Sequence, residues 1–166
     1  MSKNPRVPIT KAWEIANNIS QVLREHDVKH EICGSLKRGN KTDAGDIDIA
    51  VSNLDKVRNC FGITNGGSKQ ASTTINGMTV GFYQTDPKSW GAMTLFLTGN
   101  GTFNIKMRIF AKCHGMKLNQ YGLWHGNGNL MAAETEEVIF QKLGLQYKTP
   151  KEREFQDKDN MWKCKS

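Results

Sequence analysis

Asn76-Gly77 constrains this chain more than any other dipeptide in it, because Asn-Gly between two β-forming runs is the strongest short-range signal for a hairpin. Gln70 to Ile75 and Met78 to Gln84 flank it, so an antiparallel strand pair is expected there. Asp46-Ile47-Asp48-Ile49-Ala50-Val51 alternates polar and apolar residues with period two and predicts another strand. His30 to Cys33 is a shorter strand candidate. Thr10 is placed to cap a helix in which Trp13, Ile15, Ala16, Ile19, Val22 and Leu23 recur at helical steps, ending near His26-Asp27. Leu54 to Phe61, Trp90 to Leu97 and Thr102 to His114 are further helix candidates, the last closed by Gly115.

These elements predict an α/β (α+β) fold: a mixed β-sheet with flanking helices over residues 1–100, then a small α+β subdomain over 101–166. The boundary is expected near residues 99–102. The second part combines short strands at Met116 to Leu118 and Tyr121 to Trp124 with the turn Gly126-Asn127-Gly128 and a helix from Thr135 to Leu143. The segment from Lys148 to Ser166 reads as a polar, charged and partly mobile tail.

Net charge is +7 and the sequence pI about 9.3, which favours polyanionic partners such as nucleic acid, an anionic membrane surface or acidic protein. Residues 1–99 hold 12 Lys/Arg against 9 Asp/Glu and residues 100–166 hold 11 against 7, so the basic surface is expected along both parts. Met1-Ser2-Lys3-Asn4-Pro5 lacks the apolar core of a secretory signal, and no apolar run reaches the ~20 residues that span a bilayer. An intracellular protein with no membrane partner is expected. Cys33, Cys60, Cys113 and Cys164 form no C-x-x-C pair, so they read as four free thiols of a reducing compartment, each a small buried hydrophobe.

Chemistry is concentrated at Asp46 and Asp48. Two residues apart on a strand, their carboxylates emerge on one face and repel unless cations lie between them. Mg²⁺ is commonly held by one or two carboxylates plus substrate phosphates, and two such ions can serve phosphoryl transfer. Alone, an Asp-x-Asp on a strand is more often a solvated face. The preceding segment adds weight: Gly34 permits unusual backbone angles, Ser35 offers a hydroxyl, and Lys37 and Arg38 bring positive charge towards the carboxylates. Read as a glycine-bounded basic loop, Gly34 to Lys41 is suited to gripping a nucleotide's phosphates; as a plain surface turn it would grip nothing.

Gly34-Ser35-Leu36-Lys37-Arg38-Gly39 followed by Gly45-Asp46-Ile47-Asp48 resembles the palm signature of the family X, or DNA polymerase beta-like, DNA polymerases. Leu97-Thr98-Gly99, Phe103-Asn104 and Met107-Arg108 resemble that family's nucleotide-binding segment. Leu118-Asn119-Gln120-Tyr121-Gly122-Leu123 and Tyr147-Lys148-Thr149-Pro150-Lys151-Glu152-Arg153 resemble its thumb motifs. The resemblance runs from Arg6-Val7-Pro8 to Arg153 and implies a nucleotidyltransferase palm with a small thumb, as in a compact viral form of the family. It further implies two Mg²⁺ ions, replaceable by Mn²⁺, a dNTP, primed or gapped duplex DNA, a role in repair and a monomeric state.

By the same resemblance, Asp46 and Asp48 would bind both metals, while Ser35, Arg38 and Gly45 would contact the triphosphate. Phe96 and Leu97 would lie against the sugar, Gly99 would belong to the nucleotide-binding segment, Asn104 would meet the base or sugar edge, and Arg108 would face the template side. Lys106, Lys112, Lys117, Lys148, Lys151 and Arg153 are candidate phosphate contacts, each with the alternative of an ordinary solvated charge.

Two departures stand out. There is no room for an amino-terminal lyase domain, so lyase activity is not expected. Counting back from Thr98-Gly99 puts the family's third catalytic aspartate at Gly81. Glycine neither binds metal nor accepts a proton, and removing a general base costs on the order of 10²–10⁴-fold in rate. An engineered or otherwise substituted site, natural loss of catalysis, and takeover by Asp86 are the readings open for Gly81. The first is favoured because glycine is unfavourable inside a strand. A nucleotidyltransferase acting on RNA or protein, and a catalytically silent DNA-binding relative, are the alternatives.

Overall fold

The computed structural model describes residues 6–153. The chain divides between Asp86 and Pro87 into two compact units.

The first unit contains β1 (Val7–Pro8), α1 (Ile9–Glu25), β2 (His30–Ile32), α2 (Gly34–Arg38), β3 (Asp43–Ala44), β4 (Asp46–Val51), α3 (Leu54–Phe61), β5 (Gln70–Ile75) and β6 (Met78–Gln84). β5 and β6 form the expected hairpin, with Ile75 opposite Met78. Both turn residues have positive φ, Asn76 at 49° and Gly77 at 85°, the geometry for which Asn-Gly is selected. The four-stranded sheet runs β2-β4-β6-β5, and only the β4–β6 pairing is parallel. Ile47, Ile49 and Val51 share one face of β4 and are 0–1% exposed. With Met78, Val80 and Phe82 they join a core against Ala12, Ile15, Ala16, Ile19 and Leu23 of α1 and Leu54 and Val57 of α3. Period-two alternation therefore leaves Asp46, Asp48, Thr79, Gly81 and Tyr83 on the other face of the sheet.

Two local expectations are corrected. α1 starts at Ile9 with Pro8, not Thr10, at its N-cap. The chain enters it directly from β1, and the pairing of β1 with β3 brings Thr42 O within 2.9 Å of the Ile9 N–H, satisfying a donor otherwise orphaned at a helix start. Gly34–Arg38 is a helical turn rather than a loop. Leu36, 2% exposed, anchors it in the core, and Gly39 at φ 70° ends it.

The second unit opens with a 3-10 turn, Pro87–Ser89, followed by α4 (Trp90–Thr98), α5 (Gly101–Cys113), β7 (Met116–Asn119), β8 (Gly122–His125), β9 (Leu130–Ala132), α6 (Glu136–Leu143) and a 3-10 turn, Pro150–Glu152. The strands form an antiparallel β7-β8-β9 sheet. Ala92 and Leu95 of α4, Phe103, Met107 and Phe110 of α5, and Ile139, Phe140 and Leu143 of α6 share its core with Leu123 of β8.

α4 lies in this unit, so the division falls earlier than the expected 99–102. The helix is buried at every position but Phe96, and the Gly91 and Ala92 N–H groups donate to Glu134 O and Ala133 O at 2.9 Å. A helix apolar all round signals burial without naming the neighbours that bury it.

The tail reading fails over its first part. Arg153 is fully buried and donates to Glu136 Oε1 at 2.6 Å and to Lys148 O at 3.0 Å; the rest of the tail, residues 154–166, lies outside the described residues. Four free thiols are not found either. Cys33 and Cys60 are free, but Cys113 is disulfide-bonded. Among the described residues no helix is long and apolar enough to cross a membrane.

Candidate active site

In the first unit the parallel pairing of β4 and β6 sets Asp46 opposite Thr79 and Asp48 opposite Gly81. Asp46 is exposed and Asp48 half-buried. The β2–β4 ladder continues one step further, Cys33 N–H donating to Asp48 O at 2.8 Å, and so brings the start of α2 to the strand carrying the carboxylates. Gly34 has φ 70°, and a Cβ on it would stand 3.2 Å from Asp48 Oδ2. Glycine there meets a left-handed backbone and keeps that carboxylate oxygen uncovered.

Ser35 and Arg38, three residues apart, lie on the same side of the α2 turn and are both half-buried. The positive charge of Arg38 acts on Asp48. Lys37 does not add to it as the sequence suggested: its ammonium is ion-paired with Glu31. Gly45 is followed directly by Asp46, and a Cβ on Gly45 would lie 3.3 Å from Arg6 Nη1. Asp43 fixes that guanidinium through a 2.8 Å hydrogen bond to Oδ1. Arg6 was missed by sequence reasoning because only the β1–β3 pairing brings it beside Gly45.

Tyr83 was missed too. Its hydroxyl donates to Asp48 Oδ1 at 3.3 Å, and a Cβ on Gly81 would lie 3.1 Å from both its ring edge and its oxygen. An aromatic two residues beyond the expected aspartate position, on the same strand face, was the available signal. Burial pushes the Asp48 carboxyl up to about 6, and the negative charge of Asp46 adds to the effect; the Tyr83 hydrogen bond and Arg38 work against it. Burial, then the charge of Asp48, pushes the Tyr83 phenol up to about 12, so it remains a donor at neutral pH.

Two like charges on one face, with a cationic turn beside them, form a set that one divalent ion completes together with phosphate oxygens. No group of three or more His, Cys, Asp or Glu side chains suited to a metal exists among the described residues. Asp86 is exposed, just ahead of the Pro87–Ser89 turn, and forms no such group with Asp46 and Asp48.

In the second unit α4 and α5 gather another part of the expected set. Asn104 Nδ2 donates to Phe96 O at 2.7 Å, and the Arg108 guanidinium stands 5.3 Å from the centre of the Phe96 ring. These residues line a small pocket with Ala92, Leu95 and Met107. Leu97 is buried, which leaves Phe96 as the accessible member of the pair. Gly99 ends α4, and Asn100 caps α5 by accepting from Phe103 N–H at 2.8 Å. Of the candidate phosphate contacts, Lys112, Lys117 and Lys151 are exposed and Lys106 and Lys148 half-buried. Arg153 is withdrawn from that set by its complete burial against Glu136.

Residues 93–154 match the DNA polymerase beta thumb. This mixed α/β chain is family X DNA polymerase-like. It is 26% identical to DNA polymerase lambda of Rattus norvegicus over 167 aligned residues, covering 74% of this chain and 28% of the relative. It is 27% identical to the DNA polymerase/3'-5' exonuclease PolX of Bacillus subtilis (strain 168) over 164 residues, covering 90% of this chain and 29% of the relative. The chain thus spans under a third of the length of these curated relatives.

Proposed function

We propose that the chain binds a dNTP and primed or gapped DNA and adds deoxynucleotides to a primer 3'-hydroxyl, as in repair synthesis, at a rate held down by Gly81. The observation that carries this reading is the placement of Asp46 and Asp48 on one sheet face, beside the turn bearing Ser35 and Arg38. The likeness to named DNA polymerases supports DNA and dNTP as substrates.

The roles follow from the side chains. Asp46 and Asp48 hold Mg²⁺, or Mn²⁺ in its place. Ser35 and Arg38 bind triphosphate oxygens, Gly45 gives them backbone access, and Arg6 adds a second cation at that edge. Phe96 lies against the sugar, Asn104 meets the base or sugar edge, and Arg108 faces the template. A divalent cation at the carboxylates would neutralise triphosphate charge and lower the pKa of a hydroxyl bound to it. Gly81 offers no acceptor for the proton of the 3'-hydroxyl, which is the physical reason for slow turnover.

Primer extension on gapped duplex with each dNTP, compared with Asp46→Asn and Asp48→Asn, tests the reading. Slow incorporation that both substitutions abolish is the expected result. Incorporation unchanged by either would place the chemistry elsewhere, and a preference for rNTP and RNA would replace the substrate class. Gly81 favours a second reading, a silent DNA-binding protein, which predicts tight binding of gapped DNA with no incorporation under any metal.

A further inference from the structure

Gly81 leaves a gap on the sheet face only in name, because another side chain occupies the space. The Tyr83 ring edge and phenol oxygen both lie 3.1 Å from where a Cβ on residue 81 would be, and Asp48 Oδ1 lies 3.3 Å from it. Even an alanine would be tight there, and an aspartate carries three further heavy atoms into the same volume. The phenol oxygen is also engaged, donating to Asp48 Oδ1 at 3.3 Å. A Cβ there already requires the Tyr83 ring to give by a few tenths of an ångström, and an acid at position 81 would crowd the phenol further and stand beside the Asp48 carboxylate.

We propose that Gly81 and Tyr83 are a matched pair in which the phenol replaces the third carboxylate, so that the Asp46/Asp48 site takes a single divalent cation with the triphosphate. This rests on the reading of Asp46 and Asp48 as metal ligands. Two consequences separate it from simple loss of an aspartate. The native chain holds one ion even with nucleotide saturating, and restoring an acid at 81 is insufficient while Tyr83 stays. Tyr83 acts here as a positioning residue: it orients Asp48 and excludes a second ion without touching substrate.

The test uses electron paramagnetic resonance of Mn²⁺ bound to the full chain with a saturating non-hydrolysable dNTP analogue. Two Mn²⁺ ions about 3.5–4 Å apart are spin-coupled, whereas a single ion gives an uncoupled signal. The native chain is expected to give an uncoupled protein-bound signal, lost in Asp46→Asn. The double variant Gly81→Asp/Tyr83→Ala should give the coupled signal. Gly81→Asp alone should reach it only at roughly tenfold or more higher Mn²⁺. A coupled pair in the native chain overturns the proposal without needing any variant to fold. Equal coupling in the single and double variants, or none in a double variant whose circular dichroism is native, overturns it while leaving the metal site standing. A native signal unaffected by Asp46→Asn overturns both the proposal and the reading beneath it.

Discussion

Asp48 and Gly81 stand opposite one another in the parallel pairing of β4 and β6, and burial holds the Asp48 carboxyl at about 6. The folded chain therefore binds this proton more tightly than the unfolded chain, where an aspartate titrates near its ordinary value of 3.8. The contribution of Asp48 to stability therefore falls as pH rises from about 4 to about 6 and stays lower above that window. Asp48→Asn keeps an acceptor for Tyr83 and cannot ionise. It is expected to be more stable than the native chain at pH 7 by on the order of 2–3 kcal/mol, a difference that closes below about pH 4. Urea unfolding of both proteins at the two pH values checks this, and equal stability at pH 7 would contradict it.

The buried pair Arg153–Glu136 yields a second prediction. Glu136 also accepts from Thr94 Oγ1 at 2.7 Å, so the carboxylate depends on both partners. Arg153→Ala leaves it buried and uncompensated and should cost about 3–5 kcal/mol. Glu136→Gln/Arg153→Met removes both charges and should recover much of that loss in thermal unfolding.

Helix caps separate local stability from ligand recognition. Asn100 caps α5, which bears Asn104 and Arg108, while Thr135 caps α6 by accepting from Val138 N–H at 3.3 Å. Alanine at either should cost about 1 kcal/mol. Only Asn100→Ala should also weaken dNTP affinity, as measured by fluorescence titration.

The parts of this fold that were legible in sequence are those set by near neighbours. α3 and the β5–β6 hairpin occur where periodicity and Asn76-Gly77 put them. α5 and α6 differ from expectation only at their ends. What escaped depends on distant partners. β1 and β3 are two-residue strands that exist through pairing with each other. β9 needs β8 beside it, and Gly34–Arg38 is helical because Leu36 reaches the core. The carboxylate pair was legible because period two alone fixes its face. Arg153 reads as a tail cation in sequence and proves to be the largest fully buried side chain among the described residues, since only the fold supplies Glu136.

Salt dependence tests the DNA-binding surface. Removing a lysine that neutralises one phosphate should lower the slope of log affinity against log salt by about 0.9 for duplex DNA. Lys112→Ala, Lys117→Ala and Lys151→Ala remove exposed charges and should each flatten the slope where they touch phosphate. The conservative core variant Glu136→Gln/Arg153→Met should leave it unchanged.

The most direct test of the central claim is equilibrium binding of a dNTP to the chain with and without Mn²⁺, compared with Asp46→Asn/Asp48→Asn. The native chain should bind the nucleotide more tightly when Mn²⁺ is present, and the double variant should lose that metal-dependent gain. Nucleotide affinity independent of Mn²⁺ in the native chain, or equal in the two proteins, would contradict the assignment of Asp46 and Asp48 as the cation-holding pair.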